Sequence, residues 1–137
     1  MLLGGGCGDE TPQTMAEYRS ALNSACQEQY EAITSLPQKQ QDESLETDEL
    51  DELAREAGER FVGKVESLRP PTELEKAHQT LLDAVHEKPP SKTDLEAVTA
   101  RTAGFTGIYA DLGARRCEAL QRIAVKRLQE VRANPRG

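Results

Sequence analysis

Aromatic residues are scarce in this 137-residue chain, which has no tryptophan, three tyrosines and two phenylalanines. Hydrophobic residues make up 36% of the sequence and charged residues 30%. This composition lies above the range of fully disordered chains, but it leaves little apolar material for a core. We therefore expect one small domain with a mainly aliphatic core.

Long apolar runs are also missing, and no segment approaches the roughly 18 continuous apolar residues that a membrane-spanning helix requires. Alternating polar and apolar residues, clusters of β-branched residues and Asn-Gly or Asp-Gly turns, which are typical of strands and hairpins, are missing too. The sequence therefore predicts an all-α fold whose body does not cross a membrane.

Motifs that carry chemistry are equally rare. The sequence has no Cys-x-x-Cys or His-x-x-x-His spacing, no phosphate-binding glycine loop and no Gly-x-Ser-x-Gly motif. Glu75 and His78 form one Glu-x-x-His element, whereas a di-iron bundle needs two. We therefore expect a protein that is not an enzyme and holds no metal or cofactor. His78 is interpreted as a partly buried residue hydrogen-bonded near a Pro-Pro junction, and His86 as an exposed residue.

Charge is unevenly distributed along the chain, whose net charge is −7. Residues 1–100 hold 9 basic and 21 acidic side chains, whereas residues 101–137 hold 8 basic and 3 acidic ones. The negative total argues against nucleic-acid binding through phosphate neutralisation. The basic C-terminal segment either lies against the acidic middle of the same bundle or faces anionic lipid or an acidic partner. The candidate contact residues are Arg115, Arg116, Arg122, Lys126 and Arg127, with Arg132 beyond them.

Helical spacing of apolar residues and proline punctuation predict a four-helix bundle. Thr11 and Pro12 suit the start of the first helix, because a hydroxyl can cap free backbone N–H groups and proline fits the first turn. This helix should end near Pro37, and the polar segment 38–43 is predicted to be a loop.

The second helix is predicted to begin at Ser44 or Thr47 and to stop before the Pro70-Pro71 pair. Thr72 to Glu75 and Thr93 to Glu96 each match a capping box, so the third and fourth helices should begin there.

Three glycines, Gly104, Gly107 and Gly113, disfavour an unbroken last helix, because each costs up to about 1 kcal/mol relative to alanine. A kink or break is therefore predicted between Gly104 and Gly113. Residues 1–10 are expected to be a tether and residues 11–137 a single helical domain, with 118–137 as a basic C-terminal extension.

The first ten residues pass from Met1 through three glycines to Cys7 and then become acidic. Residues 3–7 resemble the end of a bacterial lipoprotein signal peptide, in which small residues precede a cysteine that receives a diacylglycerol. The resemblance implies that Cys7 is lipidated and that the protein is anchored to a membrane in the cell envelope, outside the cytoplasm. The alternative is a flexible glycine-rich leader.

Two cysteines, Cys26 and Cys117, remain when Cys7 is set aside, and an even number in an exported chain favours a disulfide. Both lie on the apolar faces of predicted helices, where packed neighbours can come within bridging distance. Two buried free thiols are the alternative.

Three further features lie between residues 18 and 117: the segment from Tyr18 to Cys26, the junction 68–74 followed by His78, and Leu112-Gly113 shortly before Cys117. With these features the body resembles a loose class of small exported helical proteins that are frequent in actinobacteria. In that class the two cysteines look like a disulfide pair, which implies a Cys26–Cys117 bridge here.

Two functions of different classes follow. The first is a non-enzymatic envelope lipoprotein whose helical bundle is an interaction or structural module at the membrane surface, with a protein partner that the sequence does not name. The alternative is a ligand-binding or sensing bundle, in which the space around Tyr30, Phe61, His78 and Tyr109 receives a small molecule. A cytosolic helical adaptor with reduced thiols is a further interpretation.

Overall fold

The computed structural model describes residues 11–91 and 93–133, so Cys7 lies outside the described residues. These ranges are all-helical and contain no strand, which confirms the all-α class. They form six α-helices, so the four-helix bundle is not confirmed. In chain order the helices are α1 (Met15–Thr34), α2 (Leu36–Glu43), α3 (Thr47–Ser67), α4 (Glu75–His86), α5 (Leu95–Leu112) and α6 (Arg115–Ala133).

The start of α1 is fixed by a capping box at Thr14, three residues after the threonine that the sequence predicted as the cap. The Thr14 hydroxyl accepts a hydrogen bond from the backbone N–H of Glu17, and the Glu17 carboxylate accepts one from the backbone N–H of Thr14. This reciprocal pair satisfies two backbone donors at the helix start. The prediction that Thr11 caps the first helix was therefore wrong.

The segment just before α1 is tied to the junction between α3 and α4. The backbone N–H of Gln13 donates to the carbonyl oxygen of Arg69 at 2.8 Å, and the Arg69 N–H donates to Oε1 of Gln13 at 2.9 Å. These two hydrogen bonds fix the place at which the chain enters the domain.

A short helix, α2, occupies the segment 38–43 that was predicted to be a loop. Pro37 lies in its first turn, where a missing N–H costs nothing. The helix buries no residue, so it leaves no apolar period in the sequence. The residue that follows it, Ser44, caps its C-terminus in a left-handed conformation with φ of 52°.

Neither of the two capping boxes predicted for the third and fourth helices forms. Thr72–Leu74 is a 3-10 turn, and α4 begins after it at Glu75 without a side-chain cap. In α5 the cap is Asp94, whose side chain accepts a hydrogen bond from the backbone N–H of Ala97 at 3.1 Å.

The segment treated as the last helix is two helices that meet at Gly113, whose φ is 72°. Gly104 lies within α5 and does not interrupt it. Near the end of α6, Arg132 lies 4.0 Å from Glu96 at the start of α5, so the two helices run antiparallel. The basic C-terminal segment therefore folds back along α5.

The core lies where α1 meets α3 and α6 and where α4 covers α5. Two tyrosines, Tyr18 and Tyr109, are its largest fully buried side chains, and aliphatic residues supply most of the rest. Other fully buried members are Leu22, Val65, Leu81, Leu112 and Cys117. Within the described ranges, none of the helices combines the length and the hydropathy needed to span a bilayer.

Substitution of Gly113 by alanine should lower the free energy of unfolding by about 1–3 kcal/mol, because a side chain is strained at a φ of 72°. The new Cβ would also lie 2.6 Å from Nε of Arg19, which would have to move. Gly104→Ala is the matched control, because a Cβ there meets nothing within 4 Å. It should raise stability by up to about 1 kcal/mol. Urea unfolding followed by circular dichroism measures both, and equal effects would contradict a strained corner.

Candidate functional site

A disulfide joins Cys26 of α1 to Cys117 of α6, with an S–S distance of 2.07 Å and Cα atoms 5.3 Å apart. Both cysteines are buried. The predicted pairing is confirmed, and the alternative of two free thiols is set aside. The bond closes a loop across a separation of 91 residues. Loop-closure entropy makes such a bond worth about 4–5 kcal/mol to the folded state.

Hydrogen bonds from the same face of α1 hold the corner between α5 and α6. Nε of Arg19 donates to the carbonyl oxygen of Leu112, the last residue of α5, at 2.9 Å. Oδ1 of Asn23 accepts hydrogen bonds from the backbone N–H groups of Arg116 and Cys117, at 3.0 and 3.2 Å. Asn23 therefore caps the start of α6 from a different helix, satisfying donors that a helix start leaves free. We call Arg19, Asn23 and Cys26 the α1 clamp.

Cys26 was predicted from the sequence, whereas Arg19 and Asn23 were not. Their spacing of four and three residues places all three on one side of a helix. A polar residue one turn before an inward-facing cysteine is the signal that could have revealed Asn23. The partners of Asn23 could not have been identified from the sequence, because they lie 93 and 94 residues further along the chain.

His78 and Tyr18 form a buried polar pair between α4 and α1. The Tyr18 hydroxyl lies 2.7 Å from Nδ1 of His78, and the two rings pack edge to face. Burial raises the pKa of Tyr18 and lowers the pKa of His78, so both side chains are neutral in this hydrogen-bonded pair. His78 is thus more deeply buried than expected, and its ring packs in the core. His86 is exposed, as expected, with Nε2 3.0 Å from a carboxylate oxygen of Glu66.

A groove of about 590 Å³ lies beside α3 and α5. We call it the α3–α5 groove. Of the four predicted pocket residues, Phe61 and Tyr109 line it, whereas Tyr30 and His78 do not. Tyr30 packs against the core from α1, and His78 is bonded to Tyr18. The apolar and aromatic part of the lining consists of Phe61, Val62, Val85, Pro89, Phe105 and Tyr109.

Phe105 and Tyr109 stack along one side of this groove, with ring centroids 6.0 Å apart and planes inclined by 29°. Phe105 was not among the pocket residues predicted from the sequence. Arg101, one turn earlier, lies over the Phe105 ring at 5.3 Å from its centroid. The groove therefore has an aromatic wall with a cation at one end.

The five basic residues predicted to form a contact surface, Arg115, Arg116, Arg122, Lys126 and Arg127, are all exposed on α6. We call them the α6 basic face. Two of them have side-chain partners nearby: Nε of Arg116 donates to Gln27 at 2.5 Å, and Arg122 pairs with Glu118 of its own helix. For the other three, no ion pair is found within the described ranges.

Charge on α6 is not neutralised by packing against the acidic part of the chain. α6 carries six basic and two acidic residues, whereas α3 carries three basic and seven acidic ones. The main neighbours of α6 are α5 and α1, not α3. The single cross-helix ion pair of α6 in the described ranges joins Arg132 to Glu96. The α6 basic face is therefore exposed and largely without carboxylate partners in the described part of the chain.

The sequence contains histidine, cysteine and many carboxylates, all of which are potential metal ligands. Among residues 11–91 and 93–133, no group of three or more such side chains is placed to hold a metal ion. No family model, curated protein or solved structure matches the chain. The candidate sites therefore have to be interpreted from their own geometry.

The free energy of unfolding should fall as the pH drops below 6.5, the ordinary pKa of histidine. Because burial lowers the pKa of folded His78, the unfolded chain binds the proton first, and acid favours unfolding. His78→Gln should lose this part of the pH dependence, measured by urea unfolding between about pH 7 and pH 5. His86→Gln, which removes the other imidazole, is the control and should keep it. If the free energy of unfolding of the His78 variant depended on pH as strongly as that of the wild type, His78 would not be the responsible group.

Proposed function

We propose that this protein is a non-enzymatic helical module, anchored by lipid outside the cytoplasm, that lies on a membrane with the α6 basic face toward anionic headgroups. The observation that supports this function best is the exposed basic face itself. Three of its members, Arg115, Lys126 and Arg127, have no carboxylate partner within the described ranges.

The disulfide supports the proposed location. Disulfides persist in oxidising compartments and are rare in a reducing cytosol. The Cys26–Cys117 bond is buried and closes most of the domain, so it fits a structural role. The resemblance of residues 3–7 to a lipoprotein signal supplies the anchor, at Cys7.

The uneven charge supports the proposed orientation. α6 has a net charge of +4 and α3 one of −4, and the two are not main packing neighbours. An anionic membrane attracts each nearby basic residue by about 1 kcal/mol and repels acidic ones. With the lipid anchor supplying attachment, the basic face sets which side of the domain meets the bilayer.

Mass spectrometry of the native protein tests the location. The expected result is an acyl mass on Cys7 and a loss of two hydrogen atoms for the linked Cys26 and Cys117, because export permits both modifications. Comparison with and without reductant identifies the linked peptide. Unmodified Cys7 together with two free thiols in protein from the source cell would overturn the proposal.

Vesicle binding of the full chain carrying Cys7→Ser, which removes the anchor, tests the basic face. Binding to vesicles with anionic lipid should exceed binding to zwitterionic vesicles and should weaken at high salt. Reversing Arg115, Lys126 and Arg127 to glutamate should weaken it more than about tenfold, since each residue contributes about 1 kcal/mol. Cosedimentation measures the bound fraction.

The matched control for this experiment reverses three exposed lysines on other surfaces, Lys39, Lys76 and Lys88. It changes the net charge by the same amount but leaves α6 intact. Equal losses in the two variants would mean that only net charge matters, and the assigned orientation would be wrong. Equal binding to anionic and zwitterionic vesicles would contradict the proposal that the α6 basic face meets the membrane.

A further inference from the structure

Tyr109 brings a polar group without a partner to the α3–α5 groove. The residue is 1% exposed, and its hydroxyl has no hydrogen bond within the described ranges. In those ranges, no fully buried side-chain oxygen or nitrogen lacks a partner. The Tyr109 hydroxyl must therefore keep some accessible surface, and the groove is the cavity that Tyr109 lines. A tyrosine so deeply buried usually has a hydrogen-bond partner, and none of the described residues supplies one here.

Arg101 brings a cation without an anion to the same groove. Arg101 is half-buried, and the only hydrogen bonds of its guanidinium in the described ranges go to the carbonyl oxygens of Ala84 and Glu87, both at 3.4 Å. These contacts are longer than a normal N–H to oxygen bond. No carboxylate lies within 4.0 Å of the guanidinium in that part of the chain. A partly desolvated guanidinium favours a carboxylate that can accept two of its N–H groups.

The acidic side chains at the rim of the groove do not pair with Arg101, so its guanidinium still favours a carboxylate from a ligand. Glu59 is paired with Arg55, and Glu66 contacts His86. Glu87 contributes its backbone carbonyl to Arg101, while the residue itself is exposed. Two of the three rim carboxylates are therefore already engaged, and Arg101 is the cation that stacks on the aromatic wall.

We propose that the α3–α5 groove binds a small molecule with an aromatic or apolar body and one carboxylate. The body lies against Phe61 and Phe105, the carboxylate meets Arg101, and a polar atom of the ligand bonds to the Tyr109 hydroxyl. A concave apolar surface with a few convergent polar groups is the usual form of a small-molecule site. This site is independent of the α6 basic face and of the anchor at Cys7.

Phenylbutyrate and its uncharged amide are the probes, because they share a body and differ in charge. With the full disulfide-bonded chain, titration calorimetry should give the acid a dissociation constant at least about tenfold lower than that of the amide. Amide chemical shifts should change at the groove, including Gly58 and Gly63 beside Phe61, and not along α6. Equal affinity of the two probes, shift changes elsewhere or an absence of acid binding would each overturn the proposal.

Variants then assign the two polar groups. Arg101→Gln should weaken binding of the acid about tenfold or more and leave the amide unchanged, which also shows that the groove stays intact. Tyr109→Phe should weaken binding of the acid by about two- to tenfold. Arg55→Gln, which removes a rim cation already paired with Glu59, is the matched control and should change neither by more than about twofold. An Arg101 variant that binds the acid like the wild type would refute the assigned carboxylate contact.

Discussion

The α1 clamp is the constraint on which the rest of this fold depends. One disulfide and the hydrogen bonds of Arg19 and Asn23 hold the corner where α5 turns into α6. With that corner fixed, α6 returns along α5 and packs against α1. A core with so few large side chains gains little from burial alone, so a covalent link worth about 4–5 kcal/mol is a sizeable share of the stability of a small domain.

Sequence patterns predicted the parts of this structure that depend on local chemistry. The all-α class followed from helical spacing, and the cysteine pairing followed from parity, apolar position and resemblance. α2 could not be predicted because it packs no residue into the core and therefore shows no apolar period. The start of α1 moved from Thr11 to Thr14 because two threonines were available and only one lies three residues before a glutamate.

The sites show the same division between local and distant causes. The exposure of the α6 basic face could be predicted, since its charges alternate with apolar residues at helical spacing. The groove could be predicted only in part. His78 has the properties of a pocket residue, but its imidazole is hydrogen-bonded to Tyr18, which lies 60 residues away in the sequence. The role of Arg101 could not be predicted from the sequence. It depends on the absence of a nearby carboxylate, which only the folded structure shows.

The hydrogen bonds between Gln13 and Arg69 also limit the length of a tether between the domain and a lipid anchor at Cys7. Only five residues separate Cys7 from Gln13. Even fully stretched, six steps of the chain span at most about 20 Å. A domain held at Cys7 would thus stay within one domain diameter of the lipid, so a molecule approaching from solution would meet its outer side first.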